Sequence, residues 1–512
     1  MMNIKKNVKS ISLAHIEHWL ITQIANILKQ KPEHIDPIKP LYTYGLDSVH
    51  MQEMFAEIQK TFLIELDENF ILNEENIKET AQIIKKYIES QNAYPVLTVP
   101  KAKAHGLENI ENTKCKGDPT DFTLYEPYQE FKKSKERLVN IFFDKQEGAA
   151  RDTCIINGKK IINFTSYNYL GLSTHPKVIS QAVRVMRQYG TSVSASRLVS
   201  GEKVLHTELE TEIASLIGTE DAIVFTTGHA TNVNTIAHLY GSQDLIIYDE
   251  LAHNSLILGA IYSGATRISF PHNDWHTLDK LLQQNRQYYQ RALIIIEGIY
   301  SMDGDISNLP NFIKIKQKHQ AWLMVDEAHS IGVLGEKGGG IREHFGVDAN
   351  AVDIWMGTLS KAFASCGGYI AGKKELIEYL KYTCPGFVYS VGMPPPMAGA
   401  ALAAIRLLKE EPERVAKLKQ LSRFARETAL NYGFNIGLND HTPVLPIIIG
   451  DSIRCISLSH QCFLQQINIK PIIYPAVPEN LARLRIFITA EHKESQIEKA
   501  FKVLFKSLKK VT

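Results

Sequence analysis

The feature that most constrains this chain lies between residues 222 and 371, where short apolar runs recur at 222–225, 245–248, 293–297, 322–325, 354–356 and 369–371, separated by segments with helical spacing. Runs such as "LIIYD" and "ALIIIE" are strand-length, and their nearly continuous apolar character suits strands covered on both faces. Strands that alternate with helices need crossover connections, so the pattern predicts an α/β fold with a mostly parallel sheet. After "PPPM" at 394–397 a long helix and then mixed elements follow, which predicts a smaller C-terminal α/β domain at 396–512.

The front of the chain keeps a different period. Residues 11–30 place Ile11, Ile16, Leu20, Ile24, Ile27 and Leu28 at helical spacing, and a polar, proline-bearing loop follows. A second helix is predicted from about Ser48, with Met51, Met54, Phe55, Ile58 and Phe62 on one face, and "NIKETAQIIKKYIES" closes the pattern near residue 90. These helices form a small all-α bundle at 1–90. Residues 91–121 are rich in proline, glycine, lysine and acids without periodicity, a composition that suits a linker. The remainder divides into a large domain with an N-terminal arm at 122–395 and the C-terminal domain at 396–512.

Hydrophobic content of 44% and charged content of 22% are those of a globular protein, and a net charge of +2 gives no basis for nucleic-acid or anionic-membrane binding. The six cysteines are scattered, without CxxC pairs or Cys/His metal spacing, so no metal is expected and the thiols read as reduced. The first residues lack the long apolar core of a secretory signal, and no stretch reaches the roughly 18 apolar residues of a spanning helix. The expected location is the cytoplasm.

Two stretches carry chemistry. "GTLSKAFASCGGY" sets Lys361 in a small-residue turn after an apolar run, with Thr358 and Ser360 nearby as phosphate donors and Gly367 and Gly368 behind for close backbone approach. "WLMVDEAHSIGVLG" puts Asp326 at the end of a predicted buried strand and His329 three residues on. A carboxylate there, in the crevice where open α/β sheets take ligands, suits a pyridinium nitrogen. Either residue alone reads equally as a structural hydrogen-bonder. In the front bundle, "YGLDSVHMQEMF" opens a helix at Ser48, and serine is a favoured N-cap on that ground alone.

The region from about 122 onward resembles the α-oxoamine synthase family of fold-type I pyridoxal-phosphate (PLP) enzymes, which includes serine palmitoyltransferase, aminolevulinate synthase, amino-oxononanoate synthase and glycine C-acetyltransferase. Seven motifs in order carry the resemblance: "SYNYLGLSTHP", "GTSVSASRLVSGEKVLHTELE", "TTGHATN", "DELAHNS", "EGIYSMDGD", "VYSVGMPPP" and "ARLRI". The resemblance implies a Schiff base between PLP and Lys361, Asp326 on the pyridine nitrogen, His329 on the ring hydroxyl and His253 stacked on the ring. It implies a phosphate site of Thr227, Gly228, His229 and Thr358, with Ser390 reaching across a homodimer interface. Ser301 joins the cofactor site, and Arg485, with Asn168, takes the amino-acid carboxylate. Arg483 is a lesser candidate that could equally face solvent. His229 departs from the family's usual aromatic residue. Tyr167 stands where several glycine-using members have Asn, which brings "SYNYLG" closer to serine palmitoyltransferase.

Gly45, Leu46, Asp47 and Ser48 resemble the Gly-x-Asp-Ser motif of acyl carrier proteins, with Val49 a mild departure. That resemblance implies 4′-phosphopantetheine on Ser48, installed by a phosphopantetheinyl transferase. Together the two implied halves condense an amino acid with an acyl thioester, release CO₂ and yield an α-amino ketone. Tethering the donor replaces a diffusing one by an effective concentration on the order of millimolar. Competing readings are another fold-type I enzyme, such as an aminotransferase whose carrier serves a separate enzyme, and a non-catalytic partner subunit.

Overall fold

The computed structural model describes residues 12–28, 30–39, 44, 46, 54, 57–59, 61, 62, 64, 76–90, 121–137, 142–474 and 476–511. Ser48 and its neighbours Gly45 and Asp47, the helical positions Met51 and Phe55, and residues 91–120 lie outside the described residues.

At the front, α1 (Leu13–Ile27) starts where the Ser12 hydroxyl accepts the His15 amide at 3.2 Å. The helix α2 (Ile77–Ser90) is closed at its mouth by Asn76 and Glu79, each side chain taking the other's amide, at 3.0 and 3.3 Å. The predicted apolar stripes meet here. Ile16, Leu20 and Ile24 bury with Met54, Ile58, Phe62, Ile77, Ala81 and Ile84, and the Trp19 ring meets Phe62 edge-on at 5.1 Å.

A small front sheet joins β1 (Gln146–Glu147), β2 (Thr153–Ile156) and β3 (Lys159–Asn163) to β12 (Ile467–Asn468), so the arm of the large domain pairs with the C-terminal region. The central sheet has seven strands in the order β4-β10-β9-β8-β7-β5-β6. Its members are β4 (Asp221–Phe225), β5 (Leu245–Asp249), β6 (Thr266–Phe270), β7 (Ala292–Glu297), β8 (Trp322–Asp326), β9 (Ile354–Thr358) and β10 (Gly368–Gly372). Only β10 runs against its neighbours β4 and β9. A third sheet, β11 (Val444–Ile448), β14 (Arg483–Phe487) and β13 (Lys470–Ile472), is antiparallel. This is the α/β architecture with a mostly parallel central sheet expected from the alternating runs.

The pleat explains why those runs are apolar throughout. In β7, Ala292, Ile294 and Ile296 face one core while Leu293 and Ile295 face the core on the other side of the sheet. Each fully buried Ile or Leu stabilises by roughly 1.5–3 kcal/mol. The strand β6 was not among the predicted runs. It lies at the sheet edge, and Arg267 and Ser269 interrupt its apolar pattern.

The front bundle rests on the larger α/β region. The Gln30 amide donates to Asn285 at 2.9 Å, Lys39 to Gln284 at 3.3 Å, and the Tyr289 hydroxyl to the Leu28 carbonyl at 3.4 Å. Residues 284–289 lead into β7 at its N-terminal end. Among the described residues no helix is long and apolar enough to cross a membrane, and no cluster of His, Cys, Asp or Glu is arranged to hold a metal.

Candidate active site

The C-terminal ends of β5, β7, β8 and β9 build one site. Asp326 closes β8, and register sets it beside Glu297 of β7. Both Asp326 oxygens are engaged: Oδ1 accepts the Ala328 amide at 2.8 Å and Oδ2 accepts Asn232 Nδ2, also at 2.8 Å. Asn232 lies in the helix α3 (Gly228–Leu239) and donates as well to Ser255 Oγ at 2.9 Å. Ser255 in turn contacts His253 Nδ1, by hydroxyl at 2.8 Å and by amide at 3.2 Å. The amide can only donate, so His253 Nδ1 is an acceptor and the neutral ring carries its proton on Nε2. Burial holds His253 below its ordinary pKa against the pull of Asp326.

Glu297 accepts the His253 amide at 2.6 Å. Burial raises its carboxyl well above the usual range, and the charge of Asp326 adds to this. His329 is fully enclosed, and Tyr169 Oη lies 2.7 Å from its Nδ1. Burial holds the phenol in its protonated form, so it donates to Nδ1 and leaves the His329 proton on Nε2. Burial, with the charges of Lys361 and Arg485, keeps that imidazole neutral.

Lys361 follows β9 in the turn 359–365. Burial pushes its amine down to about 8, although Asp326 and Glu297 oppose the shift. A lysine so placed is a nucleophile near neutral pH.

At the other end of the site, Thr227 caps α3, its hydroxyl accepting the Ala230 amide at 3.1 Å. Thr358 closes on the same helix mouth: a Cβ added at Gly228 would lie 2.9 Å from Thr358 Oγ1, and one at Gly368 would lie 2.7 Å from the Gly228 Cα. At Gly368 the Gly228 backbone and the Thr231 hydroxyl leave no room for a side chain, and at Gly228 it is the Thr358 side chain that closes in. Free amides at a helix start, flanked by the Thr358 and Ser360 hydroxyls 2.6 Å apart, form an anion site. His229 is exposed on the first turn of α3. Ser390 sits in the turn after Pro385–Val388, half-buried, with its amide on the Phe387 carbonyl at 3.3 Å.

Arg485 lies on β14 with its guanidinium over the Phe487 ring at 4.8 Å. Nη1 donates to the Ser301 carbonyl at 2.9 Å, while Nε is buried without a partner. An orphaned guanidinium N–H fits a carboxylate. Two expectations change. Arg483 does not face solvent: it is buried and pairs with Asp303 at 2.6 Å. Asn168 is not free beside Arg485, because its amide holds the turn at residue 171, donating to Ala150 O at 3.0 Å and Ser173 Oγ at 2.8 Å.

The donor set fits PLP: a reactive lysine, a carboxylate held for a pyridinium, a ring-flanking histidine and a helix-mouth anion site. Comparison with known proteins agrees. Residues 159–504 match the aminotransferase class I and II family, and residues 18–84 match the phosphopantetheine attachment site family. The chain is 39% identical to an 8-amino-7-oxononanoate synthase of Treponema denticola over 70% of its own length and 90% of that protein's. It is 36% identical to long chain base biosynthesis protein 2a of Arabidopsis thaliana, covering 68% of this chain and 74% of that one. A Sphingomonas wittichii serine palmitoyltransferase superposes with a TM-score of 0.72 at 28% identity, covering 76% and 99% of the two chains. A structure of SPT with a PLP internal aldimine gives the same TM-score at 26% identity, covering 77% of this chain and 99% of that one.

The chain belongs to the α-oxoamine synthase family. It is a PLP-dependent C-acyltransferase with an N-terminal phosphopantetheine-bearing carrier domain, and its chemistry joins an amino acid to an acyl thioester. Four residues of this α-oxoamine synthase site were not singled out in the sequence: Tyr169, Asn232, Ser255 and Glu297. Each lies inside a motif already noted, within four residues of a chosen one. The signal was proximity, and only the fold shows which way they point.

Proposed function

We propose that the acyl group reaches the synthase on phosphopantetheine attached to Ser48, so that one polypeptide carries both donor and catalyst. The observation that carries this reading is the coexistence of a carrier domain and a complete Lys361, Asp326, His329 and His253 set in one chain. The C–C bond forms between the amino acid's Cα and the acyl carbonyl. The pantetheine thiol leaves with a proton, the carboxylate leaves as CO₂, and an α-amino ketone remains. When bound, PLP supplies an electron sink for charge developing at Cα.

The chain's own residues do the rest. Asp326, fixed by Asn232 and the Ala328 amide, keeps a proton on the pyridine nitrogen. His329 Nε2, aimed by Tyr169, donates to the ring hydroxyl. His253 covers the ring face. Thr227, Gly228, His229, Thr358 and, from a second copy of the chain, Ser390 hold the phosphate. Arg485 takes the carboxylate, and the Lys361 amine, near pH 8 in its titration, removes and returns the Cα proton. Glu297 keeps His253 in place through its amide.

The carrier rests at the N-terminal ends of the strands, whereas Lys361 sits beyond their C-terminal ends. Delivery therefore requires the carrier to leave that contact, a motion to which the composition of residues 91–121 is suited. The test is intact-mass measurement of the full chain after treatment with a phosphopantetheinyl transferase, acyl loading and addition of single amino acids. The reading expects a pantetheine adduct that is lost in Ser48→Ala, and loss of the acyl mass with CO₂ release for a matching amino acid. An acyl mass that persists with every amino acid, while a free acyl thioester is consumed, would overturn it.

A further inference from the structure

The mechanism leaves a buried charge cluster around His272 unused. His272, just past β6, lies between two carboxylates: Nδ1 is 2.9 Å from Asp249 and Nε2 is 2.8 Å from Asp305. Its amide donates to Glu250 at 2.9 Å, and the edge of Tyr300 meets its ring at 4.4 Å. The next residue, Asn273, spans the same pair, giving its amide to Asp249 at 2.8 Å and its side-chain NH₂ to Asp305 at 2.5 Å. Asn273 accepts a left-handed φ of 54° to do so.

Asp305 ends the loop 298–305 that follows β7, and this loop has a second face. Ile299 bridges Ile306, and the Tyr300 amide donates to Asp305 O at 3.1 Å, so the loop is closed on itself. On the side away from His272 it meets the C-terminal sheet. The Ser301 carbonyl takes Arg485 Nη1 at 2.9 Å, the Met302 carbonyl takes Arg483 Nη1 at 3.2 Å, and Gly304 O accepts Thr442 Oγ1 at 2.7 Å. Gly304 has φ 72°, and a Cβ there would run into the Val444 carbonyl. One loop is thus pinned to the ends of β5 and β6 on one side and sets the guanidinium of Arg485 on the other.

We propose that His272 is a positioning residue for the amino-acid substrate: the Asp249–His272–Asp305 clasp fixes the 298–305 loop so that the Ser301 carbonyl aims Arg485 at the substrate carboxylate. This rests on the reading of Arg485 as the carboxylate site. His272 touches neither substrate nor cofactor; it acts through Asp305, the loop backbone and Ser301. Small displacements of a group that orients substrate cost large factors in binding, which gives the inference its reach.

The test uses the full-length, PLP-loaded chain and two variants, His272→Gln and Asp305→Asn. Amino-acid binding is read by the change in cofactor absorbance, and a parallel titration uses the corresponding amine without its carboxyl group. The expected result is a roughly tenfold weaker amino acid, an unchanged carboxyl-free amine, and an acyl-thioester KM within about twofold. Equal weakening of both ligands, loss of the cofactor band, or no weakening of either would overturn the proposal. If His272→Gln does not fold, Asp305→Asn, which keeps the size of the side chain and an acceptor oxygen, decides alone. A wild-type chain whose band ignores amino acids, or an Arg485→Ala chain that binds them normally, sinks the carboxylate reading itself.

Discussion

The clasp also makes a stability claim with a calculable size. His272 and its two carboxylates have side chains no more than 9% exposed. Burial alone disfavours the imidazolium, but the hydrogen bonds and charges of Asp249 and Asp305 outweigh it and raise the pKa from 6.5 to about 10. At ~1.4 kcal/mol per pH unit that shift is worth on the order of 5 kcal/mol. The folded chain holds this proton more tightly than the unfolded one. The contribution is therefore complete below pH 6.5, declines as pH rises, and is gone once pH passes through about 10. His272→Gln removes the cation and leaves two carboxylates facing each other, a loss of about 3–5 kcal/mol near neutral pH. The assay is the apparent urea midpoint of both proteins at half-unit steps from pH 6 to 10.5. Other groups titrate in both chains, so the gap between the curves isolates His272. The gap should be widest near pH 6.5 and close toward pH 10. A gap that stays constant or widens with pH would refute the reasoning.

Arg485→Lys keeps the charge but loses the fork that binds Ser301 O and the carboxylate, so amino-acid affinity should fall by about 10- to 100-fold, the worth of one charge-assisted hydrogen bond; spectral titration measures it, with the acyl-thioester KM as control. Because burial pushes Lys361 down to about 8, the rate at which PLP reconstitutes the cofactor-free chain should rise about tenfold per pH unit up to pH 8 and then level off, as followed by absorbance in stopped flow. Lys39→Glu combined with Gln30→Ala removes two contacts that hold the carrier away from the catalytic end, and should speed single-turnover acyl loss about two- to fivefold; slower transfer would mean that the contact assists delivery.

The central strands were legible because a sheet buried on both faces needs apolar residues at every position, and β5, β7 and β8 are almost pure aliphatic runs. β6 was not legible, since an edge strand tolerates Arg267 and Ser269. The proposed site lysine, aspartate and histidines could be chosen because each sits in a short motif beside a strand end. Their supports could not: Asn232 reaches Asp326 across 94 positions of sequence, and Tyr169 reaches His329 across 160. Spacing carries no information at that range. The same holds for Arg483, whose partner Asp303 lies 180 positions away. Asn168 misled for the opposite reason. Its partners Ala150 and Ser173 are near in the chain, and a turn-bracing asparagine looks the same on paper as one facing a ligand.

The most direct test of the central claim is borohydride reduction of the PLP-loaded chain followed by peptide mass mapping. The account expects a reduced phosphopyridoxyl adduct on Lys361 and none in Lys361→Ala. An adduct on a different lysine, or a yellow protein whose Lys361 peptide keeps its native mass, would contradict it.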